Sequence, residues 1–407
     1  MHVVLVEPRF PGNQKQFVKA LAEVGATITA IGEGSKDSLD DELKRWLTHY
    51  EEVGSVCDEG AVLRAVRFIQ HKRPIDRLEA TVEAHVMPIA KVREAAGIPG
   101  TSVRTAFLCR DKPAMKEVLR AGGVPCAAST AASSVAEVAA FAEQIGFPLI
   151  VKPRDGAGAS GATRCDDAAE LGAALQELGV DRGRAVAVEE YVEGHEGFYD
   201  TLSIDGEIVH DFVSHYYPNV LEAMRTRWIS PQICVTNRID DVAAYQEVRD
   251  LGARVGKLLG IETSATHMEW FFGPKGLKFS EIGCRPPGVR TWDLYSVAND
   301  VDLYREWAMA ICHGRPGARL SRRFATGLIA LRPTGDGRIA GYQGIDAIGK
   351  AFGAHIIDAH LPPEGTPTQG VAAGYMANAW LRMKHTSYDE LRRMLDVVGQ
   401  TVKVHAR

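Results

Sequence analysis

The chain is poor in the features that mark several classes of protein. Its 407 residues hold seven cysteines, an odd number with no Cys-x-x-Cys, which speaks against a disulfide framework and fits a reducing compartment. Thirteen histidines form no cluster at metal-ligand spacing, so a zinc site is not supported. Apolar runs are short, and the opening Met1-His2-Val3-Val4-Leu5-Val6-Glu7 has neither the basic start nor the long apolar stretch of a signal peptide. The expectation is a cytoplasmic protein with no membrane partner. Charge of one sign is also scarce: a net charge of −5 and a pI near 6.2 leave no basic stripe for nucleic acid. No internal repeat, coiled coil or low-complexity tract is present. What remains is 45% hydrophobic and long enough for two to four subdomains with cores of their own.

Against that background an ordered set of charged residues stands out. Pro148-Leu149-Ile150-Val151-Lys152-Pro153 is an apolar run ending in a cation, and three glycines follow within Gly156-Ala157-Gly158-Ala159-Ser160-Gly161. The pattern reads as a strand feeding a loop whose backbone N–H groups can approach an anion, with Lys152 adding a fixed positive charge. Its spacing is neither Gly-x-Gly-x-x-Gly nor Gly-x-x-x-x-Gly-Lys-Ser/Thr, so Rossmann and Walker loops are both excluded.

A second set reads as a metal site. Thr266-His267-Met268-Glu269-Trp270-Phe271-Phe272 and Leu277-Lys278-Phe279-Ser280-Glu281-Ile282 form two strand patterns joined by Gly273-Pro274-Lys275-Gly276. A two-residue loop would face Glu269 with Ser280 and send the two carboxylates to opposite faces. A three-residue loop, Pro274-Lys275-Gly276, sets Glu269 across from Glu281, and Pro followed by Gly favours it. Carboxylates so placed repel by up to about 1 kcal/mol unless a cation lies between them, and oxygen ligands of this kind suit Mg²⁺ shared with phosphate.

Together these motifs resemble the ATP-grasp superfamily, in particular its carboxylate–amine ligases, which include L-amino-acid ligases and relatives of biotin carboxylase and carbamoyl phosphate synthetase. The resemblance runs from about Gly97 to Gly288. Arg110-Asp111-Lys112-Pro113-Ala114-Met115-Lys116 is similar to the entry of the family's nucleotide-binding core, which makes Lys112 the first phosphate lysine, with Lys116 as its alternative, and Lys152 the second. The resemblance also assigns Gly156, Gly158, Ala159 and Ser160 to the phosphates. Val188-Glu189-Glu190-Tyr191-Val192-Glu193-Gly194-His195-Glu196 looks like the adenine hinge, with Glu189 and the Val192 backbone at the base and Glu196 at the ribose. Glu281-Ile282-Gly283-Cys284-Arg285-Pro286-Pro287-Gly288 resembles the closing metal motif, with Glu269 and Glu281 as metal ligands and Arg285 facing the transferred phosphoryl group. Gly283 stands where many members carry a metal-ligating Asn.

The resemblance implies an α/β and α+β protein. A parallel α/β pre-ATP-grasp domain would occupy residues 1–110, a small ATP-grasp subdomain 111–186, a large one 187–314, and a small C-terminal α+β unit 315–407. It further implies ATP with Mg²⁺, or Mn²⁺ in its place, small carboxylate and amine substrates joined through an acyl phosphate with release of ADP, and a homodimer as the common assembly. An acceptor other than an amine, or nucleotide binding without turnover, are the alternatives. Biotin carboxylase itself is disfavoured, because Pro286-Pro287-Gly288-Val289-Arg290 replaces its Arg-x-Gln-Val-Glu-His continuation.

Several local readings complete the picture. Arg225, Arg227 and Arg290 are candidates for a substrate carboxylate, weighed against ordinary surface arginines held by acids. Cys284 is the one cysteine inside a motif, although free Cys usually packs as a small hydrophobe. Strands are expected at Val3 to Val6, Thr27 to Ile31, Gly54 to Cys57, Gly327 to Leu331 and Val371 to Trp380. Helices are expected at Gln16 to Glu23, Ala61 to His71, from Lys112 to about Gly122, Asp240 to Leu259 and Tyr388 to Val398.

Overall fold

A computed structural model describes residues 1–154, 161–371 and 378–407. The opening segment builds the expected parallel sheet. Strands β1 (His2–Val6), β2 (Thr27–Glu33), β3 (His49–Val53) and β4 (Arg77–Glu79) alternate with helices α1 (Gln14–Glu23), α2 (Asp41–Trp46), α3 (Glu59–Lys72) and α4 (Glu83–Ala96), and the strands lie in the order β3-β2-β1-β4. The third strand ends at Val53, so the expected Gly54–Cys57 strand falls just past it. The half-polar run His49-Tyr50-Glu51-Glu52-Val53 pairs at the sheet edge, where charged side chains are tolerated.

Helices α5 (Val103–Leu108) and α6 (Lys112–Ala121) lead into the centre. The start of α6 is fixed by Asp111, whose side chain accepts from the Ala114 N–H, and by Pro113 in the first turn. Then come β5 (Ser129–Ala132), α7 (Val135–Ile145), β6 (Leu149–Pro153), β7 (Thr163–Cys165), α8 (Ala168–Leu178) and β8 (Val186–Glu190). These strands make a small antiparallel sheet in the order β5-β8-β6-β7. β8 belongs to this sheet, so a division at 186/187 would cut it from its partners.

The rest of the chain is dominated by one antiparallel sheet of eight strands. It is formed from β9 (His195–Ile204), β10 (Glu207–Tyr217), β11 (Gln232–Val235), β12 (Ser264–Gly273) and β13 (Gly276–Gly283), with α9 (Val220–Ala223), α10 (Ala244–Leu259), α11 (Thr291–Asn299) and α12 (Leu303–His313) interspersed. It continues through β14 (Ala325–Leu331), then β15 (Ile339–Gln343), α13 (Ile345–Phe352), β16 (Ile356–His360), β17 (Ala379–His385), α14 (Tyr388–Thr401) and β18 (Lys403–Ala406). The order β13-β12-β9-β10-β11-β14-β17-β16 makes three tail strands part of the large sheet, and among the described residues of the tail only β15 and β18 pair apart from it. The 315–407 segment is α+β, but it does not form a layer of its own. The expected Val371–Trp380 strand falls largely on 372–377, outside the described residues, and the described strand begins at Ala379. α10 begins four residues later than expected, because Asp240 is drawn out of the helix by Arg249 (2.5 Å) and Arg322 (3.4 Å). Among the described residues no helix is long and apolar enough to cross a membrane.

Aromatic packing joins the parallel layer to the large sheet. Phe17 of α1 meets Trp292, Tyr304 and Trp307 with ring centroids 4.9–5.3 Å apart. A second buried cluster spans α6, α10, β12 and β13, so the helix carrying Lys112 is fixed to the hairpin carrying Glu269 and Glu281.

On one face of the large sheet two histidines are kept neutral by burial. His195 Nε2 lies 2.9 Å from His215 Nδ1, and His215 Nε2 lies 2.9 Å from the Tyr245 hydroxyl. Loss of hydration pushes the His215 imidazole down to about 3. The unfolded chain takes up this proton near pH 6.5 and the folded chain does so only near pH 3, so stability falls as pH drops through that window. The slope is at most about 1.4 kcal/mol per pH unit for this group. Urea unfolding between pH 7 and pH 4 should show a shallower decline for His215→Gln than for the natural chain. Equal slopes would remove His215 from the account.

Candidate active site

The hairpin settles the register by a route between the two expected ones. Gly273 pairs with Gly276 across a two-residue loop, Phe272 with Leu277, Phe271 with Lys278 and Trp270 with Phe279. A bulge then leaves Ser280 unpaired, and Glu269 falls opposite Glu281. The three-residue loop is therefore incorrect, but the pairing of the two carboxylates holds, because the extra residue sits in β13 rather than in the turn.

Glu269 and Glu281 open onto a cavity of about 380 Å³ between the two sheets. Lys112, Lys116, Lys152 and Glu189 line it together with the apolar surfaces of Ile150, Tyr191, Val192, Leu221 and Phe271. Glu196 and Arg225 are also in its wall. The lysines and Glu189 belong to a run of alternating charge. Lys112 Nζ lies 3.3 Å from Glu281 Oε2, and Lys152 Nζ lies 4.0 Å from the same oxygen. Lys152 also meets Glu189 Oε2 at 2.8 Å, and Glu189 Oε1 meets Lys116 at 2.8 Å. Burial opposes charge on Glu281 and Glu189, but the neighbouring ammonium groups outweigh it, hold Glu281 below the usual carboxylate range and pull Glu189 down to about 2. The Glu189 carboxylate, expected at the base, is held by two lysines, Lys116 and Lys152.

The hinge from β8 to β9 runs against the hairpin. Gly194, at φ +151°, and Gly273 let the two backbones touch, since a Cβ on Gly273 would lie 2.1 Å from the Glu193 carbonyl oxygen. Val192 of this hinge faces the cavity. Glu196 accepts from the Val220 N–H at 2.6 Å, and burial together with the nearby Glu269 charge raises it to about 8. Gly156, Gly158, Ala159 and Ser160 lie outside the described residues.

Arg285 does not line the main cavity. It lines an adjoining niche with Glu83, Arg110 and His267, which shares Lys112 and Glu281 with the cavity. Arg285 Nε donates to Glu83 Oε2 at 2.6 Å, and Arg110 donates to Glu83 Oε1 at 3.1 Å. A Cβ on Gly283 would come within 3.1 Å of Glu83 Oε2, the oxygen that accepts from Arg285. The space an Asn would need here is taken by a carboxylate from the first layer. Arg227 is held by Asp336 and Arg290 by Asp293, each at 2.6 Å, so of the three candidate arginines only Arg225 reaches the cavity. Cys284 packs with its Sγ 2.8 Å from Cys109.

Sequence reasoning missed Glu83, Arg110 and His267. Glu83 is 202 residues from Arg285 and gives no local signal. His267 was legible, being two residues before Glu269 on the same strand face. Its Nδ1 lies 2.7 Å from Asp200, which also accepts from Tyr295 at 2.5 Å. Burial disfavours the imidazolium, but Asp200 outweighs this and raises His267 to about 9.

Two sheets clasping a cavity of this charge pattern form the ATP-grasp architecture. The chain shares the fold of solved ATP-grasp ligases. The sequence profile of the carbamoyl-phosphate synthase L chain, ATP binding domain, matches residues 111–198. The chain is 29% identical over 250 residues to an L-arginine-specific L-amino acid ligase of Bacillus subtilis, covering 60% of this chain and 59% of that protein. It thus spans about three-fifths of the length of that relative. The solved structure of an L-amino acid ligase from Bacillus licheniformis superposes with a TM-score of 0.77 at 16% identity, covering 100% of this chain and 98% of the other. A phosphoribosylglycinamide synthetase from Anaerococcus prevotii gives 0.71 at 15% identity, with 100% and 99% covered.

The contact at Gly283 has a measurable cost. Gly283→Asn should lower stability by about 1–2 kcal/mol, because Glu83 must leave Arg285 to admit the side chain. In a Glu83→Ala background the same substitution should cost at most half as much. Additive losses in chemical denaturation would show that Gly283 faces something else.

Proposed function

We propose that the chain is an ADP-forming ligase that activates a carboxylate as an acyl phosphate and transfers the acyl group to an amine, with an amino acid or small peptide as substrate. The observation that carries this reading is the meeting of the nucleotide cavity and the Arg285 niche at Lys112 and Glu281.

A carboxylate attacking the terminal phosphorus of ATP brings one anion toward another, so catalysis is mainly alignment and neutralisation. Lys112 and Lys152 hold phosphate oxygens, Val192 offers backbone groups to the base, and Glu196 receives the ribose hydroxyls. Arg285, in the niche, faces the acid as its oxygen bonds to phosphorus and the bond to the bridging oxygen of ADP breaks. The amine nitrogen then attacks the acyl carbon, phosphate leaves, and the nitrogen gives up a proton.

The donor set fits Mg²⁺ or Mn²⁺. The hard oxygens of Glu269 and Glu281 share one cavity with the phosphate lysines, and among the described residues no group of three His, Cys, Asp or Glu side chains is gathered as a cage. This is the pattern of an ion held by carboxylates and phosphate together. When bound, the metal neutralises phosphate charge as the bond to the leaving oxygen breaks. Gly283 contributes no ligand, and its side-chain space belongs to Glu83.

With Mg²⁺-ATP and a panel of amino acids, ADP and phosphate should appear only when an acid and an amine are both present. Release of AMP and pyrophosphate would dismiss the reading. Glu281→Gln keeps the side-chain shape and should lower turnover at least about a hundredfold with the fold intact, while Lys152→Ala should act mainly on the KM for ATP. Wild-type rates in Glu281→Gln would overturn the metal assignment.

A further inference from the structure

Lys116 occupies a position where the inner face of α6 calls for an apolar side chain. It lies one turn after Lys112, between the buried Met115 and Leu119, and is only 1% exposed. An ammonium so placed loses its hydration at an effective cost of several kcal/mol and is tolerated only against a counter-charge. Glu189 supplies that charge through Oε1 at 2.8 Å, while Oε2 of the same carboxylate lies 2.8 Å from Lys152 Nζ. The arrangement follows from the sheet. Glu189 of β8 pairs with Ile150 of β6, which places its side chain on the same face as Lys152, two residues on, within reach of a diagonal contact.

The consequence is one of charge. Among the lining residues, Lys112, Lys116 and Lys152 stand with Glu189, Glu269 and Glu281, so this set of six is balanced in formal charge. With Lys116 absent, Glu189 would be opposed by Lys152 alone, and the set would carry a net negative charge where a polyphosphate must enter. Lys116 itself is almost fully buried, with its ammonium held by Glu189.

We propose that Lys116 is a positioning residue for the nucleotide: by sharing the Glu189 carboxylate it leaves the Lys152 ammonium free to meet phosphate oxygens, without touching the nucleotide itself. This rests on the nucleotide reading of the cavity given above.

Calorimetric titration of the full chain with ADP in the presence of Mg²⁺ tests it, using Lys116→Met, Glu189→Gln and the double variant. Lys116→Met should weaken ADP binding by about tenfold or more. The double variant should recover to within about threefold of the natural chain, because removing the carboxylate's charge removes the need for its partner. Should Lys116→Met fail to fold, Lys116→Gln keeps a donor to Glu189 without the charge and should lose affinity in the same way. Losses that add in the double variant and follow the thermal midpoint would assign Lys116 a structural role only, and a double variant as weak as Lys116→Met would make it a direct phosphate ligand; either result overturns the proposal. If the natural chain binds no ADP, the nucleotide reading falls together with this inference, whereas binding by the natural chain with additive losses overturns this inference alone.

Discussion

The alternation of charge along the cavity, Lys112, Glu281, Lys152, Glu189, Lys116, is the constraint on which the rest of the structure turns. Lys152 and Glu189 come from the small sheet, Lys112 and Lys116 from α6 and Glu281 from the hairpin, so the contacts among them link the placement of all three. An error in that placement would strand a charge in a poorly hydrated site at a cost comparable to a large share of a domain's stability. The electrostatics therefore act as a specification of the fold as well as of the chemistry.

Apolar packing supplies the force that this specification directs. The cluster of α6, α10, β12 and β13 holds the helix of Lys112 against the hairpin of Glu269 and Glu281, and the rings of Phe17, Trp292, Tyr304 and Trp307 bind the parallel layer to α11 and α12. Val86 and Ala90 of α4 pack in the first of these clusters, and α4 brings Glu83 to Arg285. The cavity is thus a product of two hydrophobic seams.

Much of this was legible in the sequence where the signal is local. The lysine at the end of Leu149–Pro153, the two glutamates of the hairpin and the parallel first layer are all properties of short windows. Where information is non-local the reading failed or stopped short. The hairpin register depended on a bulge at Ser280 that no turn rule reveals, and nothing in the segment of Glu189 shows its contact with Lys116. The tail strands read as a separate unit because strand periodicity says how a segment pairs and not with which partner. Glu83 lay beyond reach for the same reason, as its meaning comes entirely from a contact made across the chain.

The placement of Glu83 bears on how this chain can be dissected. A piece starting near Arg110 would keep all three lysines and both hairpin glutamates, yet Arg285 would lose the carboxylate that orients it, and the apolar seam under α12 would open to water. The lysine-lined cavity and the oriented Arg285 niche beside it are therefore inherited separately, the first from the middle of the polypeptide and the second only from its union with the beginning.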